Sequence, residues 1–483
     1  MTQADLIIRN ARLIDGTGAA SKHADLSISK GRVTRIGSDI HASGAEEIDA
    51  KGLALAPGFI DAHTHDDRAV LVDRDMACKV SQGVTTVVTG NCGISIAPLD
   101  IPDAPPAPIN LICPGPDDLM SSFADYFKAL EKTPPAVNVV PQVGHATLRA
   151  GVMDTFDRAA TKSEIKKMQG SLRRALREGA AGFSTGLYYP PAREAPTQEI
   201  EALAQVVHEE GGFHSTHMRN EADGIMDSLE ETFRIGRSAD IPVVISHHKC
   251  VGPANHGRSV ETLKAIANAQ KSQEIGLDLY PYIASSTVLL KDKLEASSRV
   301  LITWSEKMPG VQGRDLQDVA AEMGLSSEEA VDALSPAGAV YFQMDEEDVR
   351  RIMSYPSTMI GSDGLPHDKH PHPRLWGTFP RVLGHYSRDV GLLPLETAVH
   401  KMTGLTARTF GLKDRGTLRE GAWADIVLFD PETVIDTASF ESPQTPADGI
   451  EQVYVNGRCV WRNGAPTGSH PGLGLNRQQH LKH

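Results

Sequence analysis

The sequence predicts an α/β fold: a closed (β/α)8 barrel of the TIM type, a small β-sandwich domain built from both chain ends, and a subdomain inserted between barrel strands 7 and 8. Three observations predict it. Apolar β-type runs alternate with amphipathic helical stretches eight times through the middle of the chain. The two ends share a different texture, short strands broken by tight turns. One connection, from about 283 to 356, is far too long for an ordinary loop.

At the N-terminus, 5–14 and 24–37 read as strands around the turn Asp15-Gly16-Thr-Gly18, and no helix is suggested before residue 54. The candidate barrel strands are 54–60, 84–89, 137–143, 181–184, 213–216, 242–246, 276–280 and 358–361. Between the third and fourth, 163–178 is a helix with Ile165, Met168, Leu172, Ala175 and Leu176 on one face. Thr161 and Glu164 have capping-box spacing, and Gly179 sits where a C-terminal cap belongs. A second helix, 198–210, carries Ile200, Leu203 and Val207 and stops at Gly211-Gly212. An open doubly wound sheet is the alternative arrangement of the same strands. The long connection holds helical stretches at 313–324 and 327–334, which predicts a subdomain over 284–356 that shapes the active site. Strand runs at 424–430 and 453–461 then repeat the N-terminal texture. The predicted division is therefore 1–54 with 416–467 for the β-sandwich, 55–415 for the barrel, and a tail, 468–483, whose glycine, proline and polar content predicts a loose end.

Composition excludes several classes. The apolar fraction of 40% and charged fraction of 23% describe a soluble globular protein. A formal charge of -14 argues against nucleic-acid binding, which needs a basic face. The five cysteines (Cys78, Cys92, Cys113, Cys250, Cys459) are scattered and odd in number, which favours a reducing compartment. The N-terminus lacks a basic stretch followed by an apolar one, and no segment has the length of a membrane span. A cytoplasmic protein without membrane partners is expected, with its oligomeric state left open.

Once the strands are placed, metal-capable residues fall at their C-terminal ends, where barrel enzymes assemble active sites. His63 and His65 follow strand 1, on the same side by alternation, and Cys92 follows strand 2. His217 ends strand 5, His247 ends strand 6, and Asp363 follows strand 8. Imidazoles, a thiolate and a carboxylate on one rim suit zinc. Taken singly each has a bland reading: Cys92 as a small packed hydrophobe, Asp363 as a turn former. His214 and His248 are left out of the ligand set as hydrogen-bonding neighbours. Zinc chemistry at such a rim, with Asp363 moving the proton, predicts amide-type hydrolysis. A competing motif, Gly182-Phe-Ser184-Thr-Gly186, has the spacing of a serine-hydrolase nucleophile elbow. That elbow needs a helix straight after the turn, and Leu187-Tyr-Tyr-Pro190-Pro191 does not supply one.

These residues resemble the amidohydrolase superfamily, and within it the N-acyl-D-amino-acid deacylases, over nearly the whole chain. The resemblance is carried by Pro57-Gly-Phe-Ile-Asp61-Ala-His63-Thr-His65-Asp-Asp67, by Gly83-Val-Thr-Thr-Val-Val-Thr-Gly-Asn-Cys92-Gly93 and by His217-Met-Arg-Asn-Glu221. Val244-Ile-Ser-His-His-Lys249, Gly361-Ser-Asp-Gly-Leu-Pro366 and His372-Pro-Arg374-Leu-Trp-Gly377 complete it. It implies that Cys92, His217 and His247 hold one tightly bound zinc, that His63 and His65 form a second, weaker site, and that Asp363 is the catalytic acid and base. It also implies that Lys249, Tyr280 and Arg374 grip the substrate α-carboxylate, in keeping with a cationic clamp. The D preference is implied by the resemblance alone.

For the substrate side chain, Tyr188, Tyr341 and Met344 match positions that line an apolar pocket in members favouring D-methionine or D-leucine. Lys293 falls near where acidic-substrate members place a cation, whereas Glu295 would repel an acidic side chain. Neutral side chains such as D-Met or D-Leu are expected, with N-acyl-D-glutamate or D-aspartate as the alternative. The other readings are a cyclic-amide hydrolase of the hydantoinase or dihydroorotase kind, and a noncatalytic scaffold.

Overall fold

The computed structural model describes residues 4–42 and 44–482. The barrel is made of Phe59–Asp61, Val84–Thr89, Asn138–Pro141 continuing into Val143–Gly144, Phe183–Gly186, His214–His217, Val243–Ile245, Ile275–Leu279 and Thr358–Ile360, paired in parallel in chain order. Closure between the last strand and the first comes from Ala62 N–H to Ile360 O at 3.2 Å and Asp363 N–H to His63 O at 2.8 Å. The closed barrel is therefore the arrangement adopted, and the open sheet is not.

One expected strand is divided. Ala54–Pro57 pairs antiparallel with Ile426–Phe429 in the terminal sheet, and only Phe59–Asp61 belongs to the barrel. The chain crosses between them at Gly58, where a Cβ would lie 2.2 Å from Thr85 Cγ2, so only glycine fits the crossing. The terminal sheet runs Ala465–Pro466, Arg458–Arg462, Ile450–Val455, Ile426–Phe429, Ala54–Pro57, Leu6–Leu13, Lys22–Ser29, Arg32–Gly37, with Glu46–Asp49 also on Leu6–Leu13. It curls until Arg32 bridges Trp423, and its inner face packs Leu6, Ile8, Leu26, Val33, Leu55 and Ile426 into a core of its own. Alternation of apolar and polar residues along each strand is what allows one face to be buried this way.

The helix over Lys162–Glu178 carries the full capping box between Thr161 and Glu164 and ends at Gly179 with φ 118°. Its buried residues, Met168, Leu172, Ala175 and Leu176, recur at helical spacing against the barrel. Thr197–Glu210 does the same with Ile200, Leu203 and Val207.

The insertion holds more than helices. Leu316–Met323 and Ser327–Leu334 pack on an antiparallel sheet in which Ala337–Phe342 lies between Ala284–Val288 and Arg299–Ser305. Ile302, Val311, Val319, Val331, Leu334 and Ala339 form its core. The sheet ends at Phe342, and the next helix, Glu346–Ser354, buries Val349, Ile352 and Met353 in the main core as the barrel's own seventh helix. Residues 468–482 are ordered rather than loose. Val139 N–H donates to Leu473 O at 2.9 Å and Leu475 N–H to Val139 O at 2.7 Å. Leu475 and Leu481 join Ile60, Val88, Val140, Phe213, Val244 and Phe410 in the cluster that fills the N-terminal end of the barrel. Among the described residues no helix is long and apolar enough to cross a membrane.

Because Leu475 is fully buried there, Leu475→Ala is expected to cost about 2–5 kcal/mol of stability. Denaturant unfolding with an unchanged midpoint would show that the C-terminal segment does not seal the barrel.

Candidate metal centre and active site

The rim residues reach the barrel mouth through unusual backbone. Cys92, His247 and Asp363 have φ of 52°, 36° and 49°, a left-handed region that costs a non-glycine residue on the order of 1–3 kcal/mol. Each is held there by its neighbours. His247 N–H donates to Asp278 Oδ1 at 2.9 Å, and Asp363 N–H is tied to the first strand at His63 O. The turn at each strand end swings its side chain over the barrel axis instead of along the strand.

The result is a dry cluster of donors. Cys92 Sγ lies 3.2 Å from His63 Nε2 and 3.4 Å from His247 Nε2. Asp363 Oδ1 lies 3.1 Å from His65 Nε2 and 3.4 Å from His63 Nε2. The His217 ring meets that of His247 edge-on with centroids 4.4 Å apart. Ligands at 2.0–2.3 Å from a tetrahedral zinc stand about 3.4–3.7 Å from one another, close to the 3.2 and 3.4 Å spacings around Cys92. His65 and His217 also leave Nδ1 buried without a hydrogen-bond partner among the described residues. Buried sulfur, nitrogen and carboxylate donors that converge in this way could hold a metal ion, and the thiolate and imidazoles fit zinc. Cys92 thus sits between His63 and His247, joining the two histidine groups.

Electrostatics agree. Burial alone would raise the Cys92 thiol, but His63 and His247 hold it well below its ordinary value. Burial likewise opposes ionisation of Asp363, and Arg374 and His63 outweigh it, leaving the carboxylate charged. Arg374 Nη1 stands 2.8 Å from Asp363 Oδ2, but only Nη2 makes a hydrogen bond, to Ser286 O at 3.2 Å, so Nε and Nη1 keep undirected protons. The Arg374 guanidinium lies 4.4 Å over the Tyr280 ring, and the Tyr280 hydroxyl is buried without a hydrogen-bond partner among the described residues.

The cleft above the donors is lined by His65, Cys92, His217, His247, Asp363, Lys249, Tyr280 and Lys293, while His63 and Arg374 lie behind this lining. The expected side-chain pocket comes together only in part. Tyr341 is absorbed into the insertion core, its hydroxyl bonded to Leu290 N–H at 2.8 Å and Val288 O at 2.9 Å. Met344 packs against Tyr280 and Tyr282. Tyr188 stacks on His217 at 5.9 Å and holds Lys293 4.6 Å over its ring. Glu295 is exposed and outside the cleft lining.

A family model described as Amidohydrolase family matches residues 46–286 and 259–461. The chain belongs to the amidohydrolase family, in its D-aminoacylase branch. It is 54% identical over 473 residues to a D-aminoacylase of Alcaligenes xylosoxydans xylosoxydans, covering 98% of each chain. It is 53% identical over 470 residues to an N-acyl-D-aspartate deacylase of the same organism, covering 97% of this chain and 94% of that one. A solved D-aminoacylase, studied for the functional role of its binuclear metal center, superposes with a TM-score of 0.96 at 54% identity, over 98% of this chain and 100% of that one. An N-acyl-D-glutamate deacylase from Bordetella bronchiseptica, complexed with zinc and a phosphonate inhibitor, superposes at 0.95 with 45% identity, over 98% and 100%.

This amidohydrolase also uses residues that sequence reasoning passed over. Glu221 Oε1 lies 2.6 Å from Lys249 Nζ and 3.1 Å from His247 Nδ1, and Oε2 lies 3.6 Å from His217 Nε2. It joins the cationic clamp to two metal-capable histidines, and its place four residues after His217 was the available signal. Asp278 touches His63 Nδ1 at 3.5 Å besides holding His247. Beneath the rim, fully buried Lys79 binds Asp61 at 2.9 Å, Ser362 Oγ at 2.9 Å and Asp66 at 3.2 Å, which locks the end of the last strand to the first. Such outer contacts orient metal ligands. Glu221→Gln is therefore expected to weaken metal binding by roughly 10–100-fold in a chelator competition; unchanged affinity would show that the carboxylate does not hold His247.

Proposed function

We propose that this N-acyl-D-amino-acid deacylase works with zinc on substrates whose side chain is acidic, N-acyl-D-aspartate or N-acyl-D-glutamate. The observation that carries this is Lys293, a cation lining the cleft with no carboxylate at ion-pair distance among the described residues. The cleft's other cation, Lys249, beside Glu221, and Arg374 behind the lining, beside Asp363, are the groups assigned to the α-carboxylate, which leaves Lys293 for the side chain. The residues expected to make an apolar wall, Tyr341 and Met344, lie outside the cleft lining, as does the repelling Glu295. Near-equal identity to a D-aminoacylase and to an N-acyl-D-aspartate deacylase leaves the choice to such local groups.

In this reading Cys92, His217 and His247 hold one zinc, and His63 and His65 hold a second, weaker one. What zinc supplies there when bound is Lewis acidity toward a carbonyl oxygen and a hydroxide source at neutral pH. The chain does the rest. Asp363, ionised beside Arg374, accepts the proton of the attacking water and returns it to the leaving amide nitrogen, which frees the D-amino acid and a carboxylic acid. Lys249, the Tyr280 hydroxyl and the undirected Arg374 protons receive the substrate α-carboxylate. That clamp favours a linear substrate, since a cyclic amide usually offers no free α-carboxylate.

Lys293→Met is expected to lower kcat/KM about 10–100-fold for N-acetyl-D-aspartate and D-glutamate, the loss of one charge-assisted hydrogen bond, with D-methionine and D-leucine substrates nearly unchanged. Burial pushes the Lys293 ammonium down to about 8, against Glu221 and Asp292, which raise it, and with Lys249, which lowers it further. The charged form therefore prevails below pH 8. KM for acidic substrates should rise as pH climbs through that value, a trend neutral substrates should not share. An acidic-to-neutral ratio untouched by both the substitution and pH contradicts the assignment and returns preference to neutral side chains.

A further inference from the structure

The motif Gly182-Phe-Ser184-Thr-Gly186 has the spacing of a nucleophile elbow, and a short helix, Pro190–Arg193, does follow it, but Ser184 lies inside the strand Phe183–Gly186 and not at a turn between strand and helix. Ser184 is fully buried within the strand Phe183–Gly186, and its hydroxyl donates to a backbone carbonyl, Gly90 O, rather than to an imidazole. The nearby His214 Nε2 is engaged with Thr185 Oγ1 at 2.9 Å. No base is aimed at Ser184.

What the hydroxyl does is close a loop. While donating to Gly90 O it accepts from Gly93 N–H at 3.0 Å, so one side chain bridges the two glycines that flank Asn91 and Cys92. Three of these four residues are left-handed: Gly90 at 74°, Cys92 at 52° and Gly93 at 75°. A four-residue turn ordinarily joins its first carbonyl to its fourth N–H directly; here the serine oxygen is inserted into that bond. The opposite side is equally fixed, since Gly93 O accepts from Ala146 N–H at 2.8 Å at the start of His145–Ala150. Packing leaves no slack. A Cβ on Gly186 would lie 2.1 Å from Cys92 O, and one on Gly90 would lie 2.2 Å from Gln142 O.

We infer that Ser184 and Gly186 are positioning residues for the reaction: the hydroxyl closes the 90–93 turn, Gly186 gives it room, and together they set the Cys92 sulfur between His63 and His247. This rests on Cys92 being a metal ligand, as argued above. Without the hydroxyl, Gly90 O and Gly93 N–H would be buried and unpaired, and the strained Cys92 conformation would lose the contact that over-determines it.

The test uses the full chain with zinc, and with cobalt(II) in its place to report thiolate-to-metal charge-transfer absorption. Ser184→Ala is expected to weaken zinc binding by roughly 10–100-fold in a chelator competition and to diminish the charge-transfer band. Gly186→Ala, which keeps the hydroxyl but presses on the Cys92 carbonyl, is expected to do the same and decides the matter if Ser184→Ala does not fold. Affinity within twofold of the parent and an undiminished band overturn the proposal, even if thermal stability falls. Cys92→Ala separates the premise from the inference: loss of the band and of zinc supports the premise, whereas an unchanged band and affinity there would overturn the premise and the inference with it.

Discussion

Everything at the barrel mouth depends on one constraint, the burial of a cysteine sulfur among imidazoles whose ring nitrogens face it. Cys92 Sγ lies 3.2 Å from His63 and 3.4 Å from His247, a spacing that suits donors gathered around one cation. The fold accepts left-handed backbone at Cys92, His247 and Asp363 to build the cluster. The same turns aim the side chains at one volume, so strain and ligand geometry have one cause.

Charge is then distributed by pairing. Lys79 stands between Asp61 and Asp66 below the rim, Arg374 stands by Asp363, and Lys249 stands by Glu221. Buried pairs of this kind add little net stability, because desolvation offsets their attraction, but removing one partner strands the other charge. Their value is positional. Glu221 couples Lys249 to His217 and His247, and Lys79 couples the first and last strands on which His63, His65 and Asp363 ride. Among the described residues Lys293 is the cleft cation without a carboxylate at ion-pair distance.

The barrel was legible because its signals are local. Apolar runs of strand length, the Thr161–Glu164 capping box and Gly179 each report a nearby backbone requirement, and the rare residue types at strand ends marked the side chains that the fold gathers at the barrel mouth. Long-range relations were not legible. The run at 54–60 looks like one strand, yet contacts with Ile426–Phe429 and with Thr85 divide it at Gly58. The insertion strands, such as Ala284–Val288, are short and partly polar, and only mutual pairing makes them a sheet. Gly, Pro and polar residues made the last segment look loose, but Leu475 and Leu481 find their places in the barrel's open end. Matched positions suggested Tyr341 as a pocket wall, and the fold uses its hydroxyl inside the insertion.

The most direct test of the account is the initial rate of acyl release from paired N-acetyl-D- and N-acetyl-L-aspartate, glutamate, methionine and leucine, by the parent and by Asp363→Asn, with zinc content determined on the same preparations. The account predicts release from D-substrates only, fastest for the acidic pair, and an Asp363→Asn protein that keeps its zinc but has lost turnover. Turnover retained by Asp363→Asn, or no release from any D-substrate by the zinc-loaded parent, would contradict it.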